Sequence, residues 1–368
     1  MIHISSAFDS GNIEVLDSTG PAVRLAIRPD THSDFYQWFH FRVSGAGEGT
    51  TYRIENAGGA AYTGGWENYG VCASRDRDEW FRVPTRLSDG VLEWDHPGGG
   101  LVSFAYFAPH SRERHLDLVA RAAADPLATH DVLGRTVQGR DMDRLRIGTG
   151  PLTVWTIARQ HPGESMAAWW MEGFIARLLG ADDLASEARE RMSFHIVPNM
   201  NPDGSVLGNL RTNALGANLN REWNVATRDR SPEVHCVRAA MEADPPALCL
   251  DVHGDEALPY NFIAGAEGIP GYTDGQAAQL ALFLDAYTSA TPEFQTKRGY
   301  PRTAPGKANL SMCTNYCAHA FGGLAMTLEM PFKDNADRPD AERGWSVARC
   351  RQLGHDALEA MVVWARAR

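Results

Sequence analysis

The chain has 368 residues, of which 43% are apolar and 22% charged, with a formal net charge of −11. That length holds two domains with full hydrophobic cores, in the composition of an ordinary globular protein. The acidic balance weighs against nucleic acid or an anionic membrane as partner, because either needs a broad basic surface.

No apolar run reaches the length of a membrane span, and residues 1–9 carry neither the basic region nor the apolar core of a secretion signal, so a cytoplasmic location is the expectation. Six cysteines, Cys72, Cys236, Cys249, Cys313, Cys317 and Cys350, are few and irregularly spaced, as expected of reduced thiols. Up to about residue 111 the strand-like segments 22–27, 36–43, 51–54, 80–83, 91–94 and 101–107 recur near every ten residues. Gly, Pro, Asn and Asp lie between them, which predicts an antiparallel β-sandwich. Trp66, Tyr69 and Trp80 read as its core, not as a surface stripe. Residues 111–124 are charged and helical, and the domain boundary is placed there, giving 1–115 and 116–368. Beyond it come a hairpin over 136–147, a strand over 151–158 leading to His161, and a helix from Met166. A strand over 191–198, another over 247–254, a helix over 276–290, a strand over 324–330 and a closing helix over 346–367 follow. The alternation predicts an α/β domain.

His161-Pro162-Gly163-Glu164 lies where the first of those strands ends. Pro162 and Gly163 turn the chain, so an imidazole and a carboxylate three positions apart can face the crevice at the strand's carboxyl end, where open α/β sheets place ligands. Zinc takes both donor types. The pair needs a third ligand, and His253 fits best, because 247–254 is again an apolar run ending in His-Gly. Two ligands close together and one distant is the usual build of a His₂Glu catalytic site.

After Pro198 the chain is rich in turn-forming residues and carries Arg211 and Arg221, whose planar forks suit a carboxylate; pairing with nearby acids on a surface loop is the competing reading. Glu329 stands alone in the apolar run 324–330, a costly place for an acid without a role. Cys313, Cys317 and His319 read as structural groups, since no fourth ligand is nearby.

The segments His161-Pro-Gly-Glu-Ser165, Asn201-Pro-Asp-Gly204, Gly208-Asn-Leu-Arg211, Asn218-Leu-Asn-Arg221, Asp251-Val-His-Gly254 and Thr327-Leu-Glu-Met-Pro-Phe332 resemble, in order, the motifs of the M14 zinc carboxypeptidases. The cytosolic carboxypeptidase subfamily is the nearest likeness, since residues 1 to about 115, including Phe107-Ala-Pro-His-Ser111, match the sandwich that precedes its catalytic domain. The resemblance implies an α/β catalytic domain with a mixed sheet flanked by helices, and one zinc on His161, Glu164 and His253. It implies Glu329 as general base, Arg211 on the carbonyl oxygen, and Asn220 and Arg221 on the free carboxylate of the last residue. The partner would be a peptide or protein C-terminal tail, cut at its last peptide bond or at an isopeptide-linked Glu; oligomeric state stays open. A tyrosine that closes over substrate is expected, with Tyr300 and Tyr316 as candidates. The family's pocket for the terminal side chain is lined by the segment before the catalytic glutamate. Here residues 294–328 contain no acid but carry Lys297, Arg298, Arg302 and Lys307, so a preference for terminal Glu or Asp is expected unless these cations sit on an exposed loop. Alternatives are an aspartoacylase-like hydrolase of small N-acylated amino acids, and a non-catalytic binder of peptide termini.

Overall fold

The computed structural model describes residues 1–368. Ten strands come first: β1 (His3–Ser5), β2 (Glu14–Asp17), β3 (Ala22–Ala26), β4 (His40–Ser44), β5 (Thr51–Ile54), β6 (Val71–Ser74), β7 (Phe81–Val83), β8 (Thr85–Ser88), β9 (Val91–Asp95) and β10 (Leu101–Ala105). They form two five-stranded sheets, ordered β1-β4-β10-β6-β7 and β2-β3-β5-β9-β8. The sheets pack face to face through alternating inward aromatics: Tyr52 and Trp94 of one lie 5.1 and 5.7 Å from Phe104 of the other. All neighbours are antiparallel except β3 and β5, which run parallel. Trp66, Tyr69 and Trp80 are buried in this half. The strand expected from residue 36 is paired only from His40; ahead of it the Tyr36 carbonyl accepts the Ala61 N–H at 3.0 Å in place of a ladder partner.

The second half runs α1 (Arg112–Ala123), β11 (Ala128–Arg135), β12 (Asp141–Ile147), β13 (Leu152–Ala158), α2 (Ser165–Leu178), α3 (Asp183–Arg191), β14 (Met192–Val197) and α4 (Pro202–Leu207). It continues with α5 (Pro232–Ala243), β15 (Leu248–Asp255), β16 (Phe262–Ala264), α6 (Asp274–Ala290), α7 (Cys313–Phe321), β17 (Leu324–Pro331) and α8 (Val347–Arg366). Its seven strands form one mixed sheet, β11-β12-β14-β13-β15-β17-β16, parallel from β14 to β17 and antiparallel at both edges. Every residue of β15 and β17 is buried, as expected of central strands covered on both faces. Helices α2, α3, α6 and α8 pack together over one face, while α5 and α7 contribute to a second apolar cluster on the other. The expected hairpin at 136–147 is longer and earlier: β11 and β12 are its arms, and 136–140 is its turn, with Gly139 at φ 80°. Helices α2 and α8 touch backbone to backbone, since a Cβ on Gly173 would stand 1.9 Å from the Arg351 carbonyl and one on Gly354 2.1 Å from that of Trp170.

The halves share one continuous core. Tyr106 stacks on Phe332 at 4.5 Å, and Arg82 donates to the Phe332 carbonyl at 2.7 Å.

Candidate active site

β13 stops at Ala158, and the chain then turns through Arg159, which is buried and has φ 62°. Its guanidinium donates to the carbonyls of Pro162 (3.0 Å) and His110 (2.8 Å), satisfying both acceptors and tying the turn to the segment ahead of α1. The Gly163 N–H reaches the Leu210 carbonyl at 2.9 Å, so close that a Cβ there would stand 3.0 Å from the same oxygen. The turn thereby sets His161 beside Glu164, the residue before α2. His253 comes from inside β15, two residues before its end, not from the strand's tip as expected. It faces the turn because β13 and β15 are parallel neighbours.

Glu164 lies between the two histidines. Its Oε1 is 2.6 Å from His161 Nδ1 and its Oε2 2.7 Å from His253 Nδ1. Burial opposes ionisation of Glu164, but the imidazoles on either side hold its carboxyl well below the usual range. Burial, with the Arg211 charge adding to it, lowers His161 to about 4, leaving it in the neutral form a ligand requires. The remaining ring nitrogens are also held: His161 Nε2 is 3.0 Å from Asn218 Oδ1, and His253 Nε2 is 2.9 Å from Asp251 Oδ2. Three converging N and O donors, with both outer ring nitrogens fixed, are a set that fits zinc.

Glu329 of β17 is directly opposite His253 in the parallel register. It is buried; its Oε1 accepts from the Tyr300 hydroxyl at 3.2 Å, and its Oε2 has no protein partner. Burial, reinforced by the negative charges of Glu164, Asp255 and Glu256, pushes its carboxyl well up, against the pull of His253. Of the two candidate tyrosines, Tyr300 is the one at the site, its hydroxyl also 2.5 Å from Asp255 Oδ2. Tyr316 packs between Trp223 and Phe321 and bonds Glu242.

Burial, then the Arg211 charge, lowers Arg221, so the two guanidiniums stand within electrostatic reach. Neither forms an ion pair with any Asp or Glu, unlike the half-buried Arg140, Arg144 and Arg349. Arg211 instead lies over the rings of Phe35 and Tyr62, and Arg221 bonds only the Asn220 carbonyl, at 2.6 Å. Asn220 is oriented by the Cys313 N–H, which donates to its Oδ1 at 2.9 Å.

A cavity of about 400 Å³ opens between Asn220, Tyr300 and Glu329. Its inner wall includes Phe262, Ala264, Leu280, Thr314 and Thr327, all uncharged. Lys297, Arg298 and Arg302 stand at its mouth on exposed loop residues, and Lys307 does not line it. Arg298 is engaged with Asp337, and Arg302, 86% exposed, lies 3.8 Å from Glu267. The cationic segment is therefore a rim, not a wall.

The thiols of Cys313 and Cys317 meet a third, Cys249, while His319 is exposed and faces the Pro270 carbonyl. Burial pushes the Cys313 thiol well up, while at Cys317 burial is outweighed by hydrogen bonds from Cys249 and Cys313, which bring it down to about 6, so the three sulfurs form one buried hydrogen-bonded cluster. Sequence reasoning missed Asp251, Gln160 and Asn218 behind the histidines. Asp251 was findable, since residues two apart on a strand share a face.

A family described as "Cytosolic carboxypeptidase N-terminal domain" matches residues 4–107, and "Zinc carboxypeptidase" matches residues 113–260. A metallo-carboxypeptidase from Burkholderia cenocepacia superimposes with a TM-score of 0.97 at 45% identity over 100% of both chains. The metallo-carboxypeptidase from Pseudomonas aeruginosa in complex with (2-guanidinoethylmercapto)succinic acid superimposes with a TM-score of 0.95 at 46% identity over 98% of both. Cytosolic carboxypeptidase 6 of Caenorhabditis elegans is 29% identical over 71% of this chain, which spans 64% of that protein. The chain belongs to the M14 zinc carboxypeptidases, metallopeptidases that hydrolyse peptide bonds. Within them, its N-terminal all-β domain is that of the cytosolic carboxypeptidases. This family membership decides against the aspartoacylase-like and non-catalytic alternatives.

Proposed function

We propose that the chain removes the C-terminal residue of peptides or protein tails, with Arg221 and Asn220 receiving the free carboxylate, Arg211 the carbonyl oxygen, and Glu329 acting as general base. The observation that carries this reading is the pair of guanidiniums, Arg211 and Arg221, with no acid of their own beside a buried His-Glu-His set. Like charges so placed call for an anion, and a planar fork binds a carboxylate through two parallel hydrogen bonds. The ligand in the Pseudomonas aeruginosa complex is a succinic acid and so offers carboxylates of the kind this pair suits.

His161, Glu164 and His253 would hold the zinc, which when bound lowers the pKa of water towards 7 and supplies positive charge that favours ionised Glu329. Glu329 Oε2, free of protein partners, takes a proton from the attacking water as its oxygen bonds the carbonyl carbon. It delivers that proton to the nitrogen as the C–N bond breaks. Arg211 meets the negative charge growing on the carbonyl oxygen. Tyr300, on the exposed loop, closes the cavity over the terminal side chain.

Selectivity for terminal Glu or Asp belongs to this reading, but as a weak effect. Exposed cations partly matched by acids contribute about 1 kcal/mol or less, which is no more than about fivefold. We place the division between the domains near residue 115, at the start of α1. The cytoplasm is the proposed location, from the name of the cytosolic relatives; no helix is long and apolar enough to cross a membrane.

The test compares free and amidated peptides on wild-type enzyme and on Glu329→Gln. Amidation should abolish cleavage, and Glu329→Gln should keep zinc while losing about 10²–10⁴ in turnover. Equal cleavage of amidated peptides would end the exopeptidase reading. Turnover of Glu329→Gln within about tenfold of wild type would mean that another base acts.

A further inference from the structure

The N-terminal domain grips the catalytic domain at the loop that carries Arg211. Asp30, buried between β3 and β4, accepts the backbone N–H groups of Leu210 (2.6 Å), Arg211 (2.7 Å) and Thr212 (3.0 Å), and the Thr212 hydroxyl (3.1 Å). Beside it, the Thr31 N–H and hydroxyl both donate to Asn209 Oδ1, and Asn12 donates to the Gly208 carbonyl. The fit leaves no room for side chains. A Cβ on Gly208, at φ 73°, would stand 2.9 Å from the Ser10 and Gly11 carbonyls, and one on Gly216, at φ 76°, 2.2 Å from that of His32.

The guanidinium of Arg211 lies 5.7 Å from the Phe35 ring centre and 5.2 Å from that of Tyr62, both rings belonging to the sandwich half. An aromatic face attracts a guanidinium without consuming its N–H groups. A carboxylate in the same place would occupy the fork and neutralise the charge that an oxyanion needs. Asp30 supplies negative charge to the loop, but spends it on backbone N–H groups and the Thr212 hydroxyl.

Resting on the role assigned to Arg211 above, we propose that Asp30, Phe35 and Tyr62 are positioning residues through which the N-terminal domain presets Arg211 for the developing oxyanion. Asp30 fixes the loop, and the two rings fix the guanidinium with its donors unspent. The catalytic domain alone is then an incomplete enzyme, whatever its zinc content. Preorganised donors matter mainly in the transition state, so losing the preset lowers kcat more than it raises KM.

The test is a set of double-mutant cycles on the full-length, zinc-loaded enzyme with a peptide bearing a free C-terminus. Arg211→Ala should cost about 10²–10³ in kcat. Phe35→Leu with Tyr62→Leu should cost about tenfold in kcat with KM within about twofold, and Asp30→Asn tenfold or more. In the Arg211→Ala background these substitutions should cost nothing further, because residues acting through one group are not additive. Tyr62→Phe, which keeps the ring, should recover most of the loss caused by Tyr62→Leu. If Arg211→Ala is near wild type, the role of Arg211 itself is wrong. If Arg211→Ala is impaired but the other losses multiply with it, or Tyr62→Phe recovers nothing, the positioning proposal is overturned. Should Asp30→Asn fail to fold, the half-exposed Phe35 and Tyr62 decide the matter alone.

Discussion

Replacing Asp251 by Asn changes one charge behind the metal ligands and nothing else in size. Asp251 is fully buried, and its Oδ2 takes both the His253 ring N–H, at 2.9 Å, and the Gln160 amide, at 2.6 Å. Gln160 is itself oriented by the Trp223 indole N–H, which donates to its Oε1 at 2.8 Å. Burial opposes charge on His253, but Asp251 and Glu164 hold it well up, so a metal would displace the proton that faces Glu164 while Asp251 keeps the other on Nε2. In Asp251→Asn the best case is a neutral oxygen in the same place. Hydrogen bonds to charged groups contribute about 1.5–3 kcal/mol and neutral ones about 1, a loss of roughly 1–2 kcal/mol. At 1.4 kcal/mol per decade that is about 5- to 30-fold in zinc affinity, inside the range usual for partners behind metal ligands. Competition against a chromophoric chelator at neutral pH would read it. An affinity within twofold of wild type would refute the reasoning, as would lost activity at unchanged zinc affinity.

Three further outcomes are expected. Tyr300→Phe removes the hydroxyl shared by Asp255 and Glu329 and should cost about tenfold in kcat/KM, from one hydrogen bond to a charged group; no change would remove Tyr300 from the site. Glu233 is buried, one of its oxygens is unsatisfied, and burial pushes its carboxyl up to about 7. Its protonated form contributes stability in full below the unfolded value near 4.5, and that contribution is lost as pH rises to about 7. Glu233→Gln should therefore gain on wild type by up to about 3 kcal/mol between pH 4.5 and 8, and a melting-temperature gap that stays constant with pH would contradict it. Gly354→Ala forces a Cβ to 2.1 Å from the Trp170 carbonyl and should destabilise by about 1–3 kcal/mol despite better helix propensity; an unchanged melting temperature would show that the helices have room.

The donor set was legible because ligand chemistry imposes spacing on sequence. His161 and Glu164 must be near in the chain to share one turn, and His253 announces itself at the end of an apolar run. Glu329 was legible for the opposite reason, as a lone acid among residues that only a central strand would hold. Several short elements were not. β1 and β2 are edge strands of three and four residues, and Val15 and Leu16 are exposed, so no alternation marks them. Helix α5 did carry a signal, Ser231-Pro232 with Glu233 in the first turn, which a loop reading passed over. The partners of Arg211 were beyond reach, since Asp30 is some 180 residues away and nothing local in either segment implies the other. Charge in 294–328 was read correctly as composition, but its exposure depends on a loop with no periodicity to place it.

Chain order has a consequence for the order of synthesis. β17 is inserted between β15 and β16, although both are made before it. A polypeptide that emerges N-terminus first therefore has all three metal donors outside the ribosome long before Glu329, and β16 waits without its only sheet neighbour. The growing protein thus holds the three donors well before Glu329, which comes opposite His253 only when β17 takes its place between β15 and β16.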